Sequence, residues 1–111
     1  NGPQKRCLAL LKKQGVVPVA AVDYAWSYNI CEVLFLYEAG LERSGGAKTG
    51  PPLVAAIQTL GSSFVSAMNL DGKSVYGRDR QDAVATARPL VYRDACGCFQ
   101  YTGASRPVPL P

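Results

Sequence analysis

The chain has 111 residues, of which 48% are apolar and 18% charged, and its net charge at neutral pH is +4. This composition excludes a wholly disordered chain, because enough apolar surface is present to offset the entropy of ordering, and the length supports one modest core rather than two domains. No apolar run has the about 18 residues that a bilayer crossing requires, and the absence of histidine removes imidazole bases and histidine-ligated metal sites.

Three helices are predicted in the first half of the chain. The first covers residues 4–14, where apolar and basic side chains fall on different sides of a helix. The second runs from about residue 21 to residue 43 and ends at Ser44-Gly45-Gly46. The third starts at Pro52, because proline suits a first helical turn, and is ended by Gly61.

The middle of the second helix is unusual in its distribution of apolar side chains. Residues 30–37 are apolar nearly all round the helix. A helix with this pattern is normally buried on several sides, so we expect more than one neighbour to cover it.

Short strands are predicted in the second half of the chain. Runs rich in β-branched and aromatic residues occupy residues 63–67, 73–76, 87–93 and 97–102. Asp71-Gly72 between the first two runs is typical of a hairpin turn. The last two runs alternate apolar and polar positions, which predicts a second hairpin, and Pro89 confines its strand to an edge or marks its first residue.

The fold class that follows is α/β, with two or three helices followed by short antiparallel strands. Residues 1–102 form the predicted folded part. Residues 103–111 contain three prolines among the last five residues, which predicts an extended, weakly packed tail. A solvated tail is favoured over a ligand for a proline-recognising domain.

Four cysteines are the only residues that suggest unusual chemistry: Cys7, Cys31, Cys96 and Cys98. Disulfides, a structural zinc site and a redox pair are the alternatives. Zinc is disfavoured, since four-thiolate sites usually use two close pairs and only one is present. Among the three possible connectivities we favour Cys7–Cys31 with Cys96–Cys98. The first bond joins two helices and stabilises the fold by about 3 kcal/mol on the chain-entropy model. The second bond requires a bend of the backbone at Gly97.

The charged side chains indicate no catalytic or nucleic-acid site. Basic residues are scattered, and no nucleic-acid motif accompanies them, so a solvated surface is favoured and no nucleic-acid partner is expected. No pair of carboxylates has the spacing that would indicate shared acid and base work. The sequence therefore predicts no enzyme activity, no cofactor and no metal.

The order of these segments resembles a known family. A cysteine-bearing amphipathic helix, the stretch AWSYNICEVLFLYEAGLERSG at residues 25–45, a short helix at residues 52–61 and the ending YRDACGCFQY are together similar to the C-terminal part of a type 1 periplasmic solute-binding protein. The resemblance is to the branched-chain amino-acid binding and receptor ligand-binding group of actinobacterial exported lipoproteins, and it covers residues 4–102.

This resemblance implies an extracytoplasmic, two-lobed α/β receptor that closes on a small solute, such as an amino acid, and delivers it to a membrane transporter. Residues 1–102 would then form part of one lobe. Asp23 and Tyr24, at the start of the long helix, would be the residues that face the ligand cleft. The chain is much shorter than such receptors, so the resemblance implies a fragment or a shortened relative.

A shortened lobe would leave much of the long helix uncovered, and a large exposed apolar surface promotes association. We therefore expect a homo-oligomer, with or without exchanged elements, or a complex with another chain. The rival hypothesis is a small secreted interaction module stapled by its disulfides. A third hypothesis is thiol–disulfide exchange at Cys96 and Cys98.

Overall fold

The fold combines three helices with short antiparallel strands, as the sequence predicts. The structure is a computed structural model that describes residues 1–69, 71–80, 84 and 86–108. In chain order the elements are α1 (Gly2–Lys13), α2 (Ala21–Arg43), α3 (Gly50–Gln58), β1 (Thr86–Ala87), β2 (Leu90–Arg93), β3 (Cys98–Tyr101) and β4 (Arg106–Pro107). The chain is therefore a small mixed α/β fold.

The bounds of α2 agree with the prediction, whereas α1 begins two residues earlier than predicted. Asn1 explains the difference, because its side-chain oxygen accepts a hydrogen bond from the backbone N–H of Gln4 at 2.9 Å. The Gln4 side chain in turn accepts from the Asn1 amino group at 2.9 Å. This reciprocal capping box satisfies donors that a helix start otherwise leaves open.

The helix α3 also begins two residues before its predicted start. Thr49 is its N-cap residue, and prolines occupy the first turn. Gly61 follows the helix with φ of +56°, a conformation that favours glycine.

The core lies where α1 and the middle of α2 meet the segment of residues 59–76. Its buried members are Cys7, Cys31, Phe35, Leu60, Phe64, Ala67 and Tyr76. Phe64 and Tyr76 meet edge to face, with their ring centroids 5.8 Å apart, a geometry that adds to their burial. Half of the core thus comes from a segment without helix or extended strand.

Side chains of the first two helices hold this segment in place. The Asn1 side-chain amide donates to the carbonyl of Ser66 at 3.0 Å, and that of Gln4 donates to the carbonyl of Ala67 at 3.0 Å. A carboxylate oxygen of Glu32 accepts from the N–H of Ala67 at 2.6 Å. These bonds satisfy backbone groups that burial would otherwise leave without partners.

Helices α2 and α3 approach closely at Gly40. A β-carbon built there would lie 2.7 Å from Ile57 Cγ1 and 2.8 Å from Leu53 Cδ1. Such distances are shorter than van der Waals contact. The two helices can therefore pack this closely only because the glycine has no side chain.

The prediction of continuous strands at residues 63–67 and 73–76 is wrong. The structure has only isolated antiparallel bridges there, one of them between Val65 and Lys73. The reason is that side chains satisfy the local backbone: Ser66 Oγ accepts from the N–H groups of Met68 at 3.1 Å and Asn69 at 2.9 Å. Such local bonds compete with a strand ladder.

The turn near Asp71-Gly72 also differs from the predicted tight hairpin. Gly72 has φ of +72°, as expected for glycine in a turn. The flanking bridge, however, joins Val65 to Lys73, so the connection is a longer loop. The Ser66 N–H donates to the Gly72 carbonyl at 2.8 Å and closes that loop.

The predicted C-terminal hairpin is confirmed, and the structure adds its register. Strands β2 and β3 are antiparallel, and Leu90 pairs with Tyr101 and Tyr92 with Phe99. Pro89 lies between β1 and β2, since proline lacks the N–H that a continuous ladder needs.

The expectation of a wholly unpaired tail is incomplete. Strand β4 pairs antiparallel with β1, with Thr86 opposite Pro107 and Ala87 opposite Arg106. Pro107 is tolerated because a two-stranded ladder consists of edges, where a missing N–H is not costly. Residues 109–111, with two of the prolines, lie outside the described residues.

Candidate functional site

Asp23 lies in the first turn of α2, where its carboxylate caps the helix. Its Oδ2 accepts from the N–H of Ala20 at 2.9 Å and from that of Val19 at 3.2 Å. These two bonds, first the one from Ala20, hold the pKa of Asp23 below its ordinary value. The predicted ligand contact is therefore already a helix-capping group.

Tyr24 is the next residue, and a helical step of about 100° turns it away from Asp23. Its ring is tilted against Tyr28, with centroids 6.2 Å apart, and it remains 36% exposed. The contact of Asp23 and Tyr24 with a ligand stays a prediction.

A depression of about 370 Å³ lies between α1 and α2. Arg6 and Glu38 form an ion pair across it at 2.8 Å, and the Arg6 guanidinium stacks 4.4 Å from the centroid of Phe35. The hydrogen bond between the two charged groups lowers the pKa of Glu38 and raises that of Arg6.

A second depression, of about 530 Å³, adjoins the first and shares Glu42 and Phe64 with it. At its far end an Arg43 guanidinium nitrogen lies 3.4 Å from Ser63 Oγ. The sequence did not indicate this groove, because Arg6 and Glu38 are 32 positions apart and leave no local pattern. Its charges are balanced and it is open, so it favours no particular ligand.

The largest candidate surface is an exposed face of α2. Cys31 and Phe35 turn to the core, while another third of the helix circumference carries apolar side chains that each expose more than half of their surface. This α2 apolar face consists of Val22, Trp26, Ile30, Val33, Leu34 and Tyr37. Six neighbouring apolar side chains exposed on one face are typical of a surface that another element or another chain covers.

The whole chain is also less compact than its length leads one to expect. Its radius of gyration is 16.0 Å, against about 13 Å for a compact domain of this length. Its accessible surface is 7775 Å², against about 5,900 Å² for a folded monomer of this mass. The excess of accessible surface is comparable to the area that one partner buries in two interfaces of standard size.

A second exposed apolar surface lies on the β2–β3 hairpin. Leu90, Tyr92, Phe99 and Tyr101 share one side of the ladder and expose between 51% and 67% of their surfaces. The rings of Tyr92 and Phe99 meet edge to face at 5.2 Å. Among the described elements, β2 and β3 pack on each other and on no helix.

Both predicted disulfides are present. Cys7–Cys31 joins α1 to α2 with a Cα separation of 5.7 Å, and both residues are buried. Cys96–Cys98 closes the turn between β2 and β3 with a Cα separation of 5.2 Å. Gly97 makes the required bend with φ of +57°, so the two bonds lie in different environments.

The described part of the chain contains no cluster of three or more histidine, cysteine, aspartate or glutamate residues that could hold a metal ion. No helix among the described residues is long and apolar enough to cross a membrane. Comparisons of the chain with family models, curated proteins and solved structures find no match.

Proposed function

We propose that the chain is a non-catalytic portion of an exported solute-binding receptor that serves an ABC-type uptake system for a small solute such as an amino acid. The α2 apolar face carries the proposal. A receptor lobe packs around such a helix on several sides, whereas the described chain covers the side that bears Cys31 and Phe35 and the contact of Gly40 with α3, and leaves the α2 apolar face exposed. The segment order and the cysteine pattern, which resemble this family, also support the proposal.

In the proposed receptor the α2 apolar face packs against the rest of the lobe. Its six side chains each expose more than half of their surface, and such packing would remove them from water. The large accessible surface of the chain is consistent with a body that is covered in its working state.

Asp23 and Tyr24 would contact the solute at the start of α2. Both capping bonds of Asp23 reach Oδ2, and none of the described residues donates to Oδ1. That oxygen is a suitable acceptor for the ammonium group of an amino acid. The half-exposed ring of Tyr24 would pack against the remainder of the solute.

Thermal unfolding of the product of the whole open reading frame tests this role. We expect one chemical class among the standard amino acids to raise its melting temperature, as a ligand bound to the native state must. The Tyr24→Ala variant should need about tenfold more solute for the same shift, whereas Tyr92→Ala, on the distant hairpin, should need no more. Absence of any shift, or equal loss in both variants, would overturn the proposal.

Light scattering of the 111-residue chain at micromolar concentration tests the covered face. We expect a homo-oligomer, because the α2 apolar face then has only other copies to pack against. Trp26→Lys should give a monomer, while Val54→Lys, at an exposed position on α3, should leave the oligomer intact. A monomeric wild-type chain with a cooperative melt argues against the receptor proposal.

The second candidate is a small secreted interaction module, and the β2–β3 hairpin favours it. Its aromatic side is exposed and packs on no helix, so it is open to a protein partner. This module would be a cooperative monomer without solute binding. Scattering and thermal unfolding therefore separate the two candidates.

A further inference from the structure

The two disulfides differ in their access to solvent. Cys7 and Cys31 are 0% and 3% exposed, and they lie within the core. Cys96 is exposed and Cys98 half-buried, at the tip of a hairpin. A thiolate must reach a sulfur atom directly to exchange with it, so access separates the two bonds kinetically.

The neighbours of the second disulfide suit an exchange reaction. The Gln100 side-chain amide donates to Cys96 Sγ at 3.8 Å, and Arg93 lies directly opposite Cys98 in the ladder. A hydrogen-bond donor and a cation near the sulfurs favour the thiolate that leaves when the bond opens.

The hairpin that carries this disulfide has little other support. Strands β2 and β3 have four residues each, and they pack on no helix of the described fold. A two-stranded hairpin of this kind is only marginally stable in water by itself. The disulfide at its turn therefore contributes much of what keeps the hairpin formed.

We propose that Cys96–Cys98 is a reversible thiol–disulfide exchange site whose substrate is an external low-molecular-weight thiol, and that opening it releases the β2–β3 hairpin but not the helical core. The thiolate of the external thiol forms a bond to one of the two sulfurs. The Cys96–Cys98 bond breaks, and its electron pair goes to the other sulfur, which takes a proton from water. A second external thiolate then attacks the external sulfur of the mixed disulfide, and the protein sulfur leaves with the electron pair and takes a proton from water. The products are two protein thiols and one oxidised external disulfide.

Graded reduction of the native protein tests the exchange step. The protein is treated with dithiothreitol at neutral pH, quenched with iodoacetamide at successive times and mapped by peptide mass spectrometry. We expect Cys96 and Cys98 to be labelled at least about tenfold faster than Cys7 and Cys31. Equal rates, or earlier labelling of the buried pair, would overturn the proposal.

Reversibility and hairpin release need two further measurements. After removal of the reductant, oxidised glutathione should restore the bond and abolish labelling; persistent labelling contradicts a reversible site. Hydrogen exchange of the reduced protein should show lost protection at residues 90–93 and 98–101 and unchanged protection in α2. Unchanged protection in both regions rejects the release of the hairpin.

The double variant Cys96→Ala/Cys98→Ala is the matched control. It should retain its helical circular dichroism and be labelled at Cys7 and Cys31 only as slowly as the wild-type protein. Labelling of this pair at the fast rate would show that the core pair is also open to the reagent, against the proposal. Neither the solute nor the covered face of α2 enters these measurements, so their failure is distinguishable from failure of the proposed receptor function.

Discussion

The helical core and the β2–β3 hairpin each contain one disulfide and one edge-to-face aromatic pair, yet they differ in what surrounds these contacts. In the core, Phe64 and Tyr76 are buried, and backbone and side-chain bonds tie their segment to two helices. On the hairpin, Tyr92 and Phe99 are more than half exposed. The same type of contact therefore contributes differently to stability, because burial rather than geometry supplies most of its free energy.

Truncation of one ring in each pair is expected to give the largest contrast. Phe64→Ala should lower the free energy of unfolding by about 3–5 kcal/mol, since it removes buried surface and leaves a cavity. Phe99→Ala should lower it by about 0.5 kcal/mol or less, as for an ordinary surface substitution. Urea denaturation of both variants measures the difference, and similar losses would mean that the hairpin is part of the cooperative core.

Removal of each disulfide sharpens the same contrast at a slightly smaller scale. Cys7→Ala/Cys31→Ala opens a loop closed over 24 residues and should cost about 3–4 kcal/mol. Cys96→Ala/Cys98→Ala opens a loop closed over two residues and should cost about 1–2 kcal/mol at most. Denaturant midpoints of both double variants, taken at equal protein concentration, report the costs; a larger loss for the hairpin bond contradicts this interpretation.

The contact of α2 with α3 is expected to tolerate no added methyl group at Gly40. Gly40→Ala should destabilise by about 1–3 kcal/mol, because the new β-carbon overlaps Leu53 and Ile57. Gly50→Ala is the control, since a β-carbon there meets nothing within 4 Å, and it should be neutral or slightly stabilising. Thermal unfolding of both variants checks the prediction, which fails if Gly40→Ala raises the melting temperature.

Acid should have the smallest effect, and it should act through carboxylates that lie outside the β2–β3 hairpin. Hydrogen bonds lower the pKa of Glu38 beside Arg6 and of Asp71, which accepts first from the backbone N–H of Lys73 and also from Thr86. A lowered folded-state pKa contributes stability that is complete above the unfolded value of about 4 and is lost as pH falls through the folded value.

The melting temperature should therefore be constant near neutral pH and fall in acid below about pH 4. Glu38→Gln and Asp71→Asn should each flatten part of that fall, because each removes a carboxylate whose pKa is lowered in the folded state. A decline that begins well above pH 5 would assign the effect to other groups.

Local signals account for the parts of the fold that were predictable. The bounds of α2 and the presence of the C-terminal hairpin follow from apolar periodicity, glycine stops and strand alternation, all of which act over a few residues. The cysteine pairing was predictable because one bond fits two adjacent helices and the other fits a bend at Gly97. The start of α1 differs from the predicted one, because its N-cap residue, Asn1, lies before the amphipathic pattern from which the helix was predicted.

Contacts between distant residues account for what was not predictable. Residues 63–67 read as a strand, but Gln4 donates to the Ala67 carbonyl and Glu32 accepts from the Ala67 N–H. These distant side chains add to the local bonds of Ser66 in holding the segment irregular. The Arg6–Glu38 pair and the groove beside it depend on how two helices cross. Asp23 and Tyr24 were suggested by resemblance alone, and the structure adds that Asp23 caps α2.

The sequence by itself determined that α2 is apolar on more than one side, because the identity of each side chain and the helical period fix that distribution. Only the tertiary structure decided which side is buried. The core covers Cys31 and Phe35, because the disulfide to α1 and the segment with Phe64 meet the helix there. The opposite side, around Trp26 and Tyr37, finds no partner within the described chain, since one short chain supplies too few elements to surround a helix.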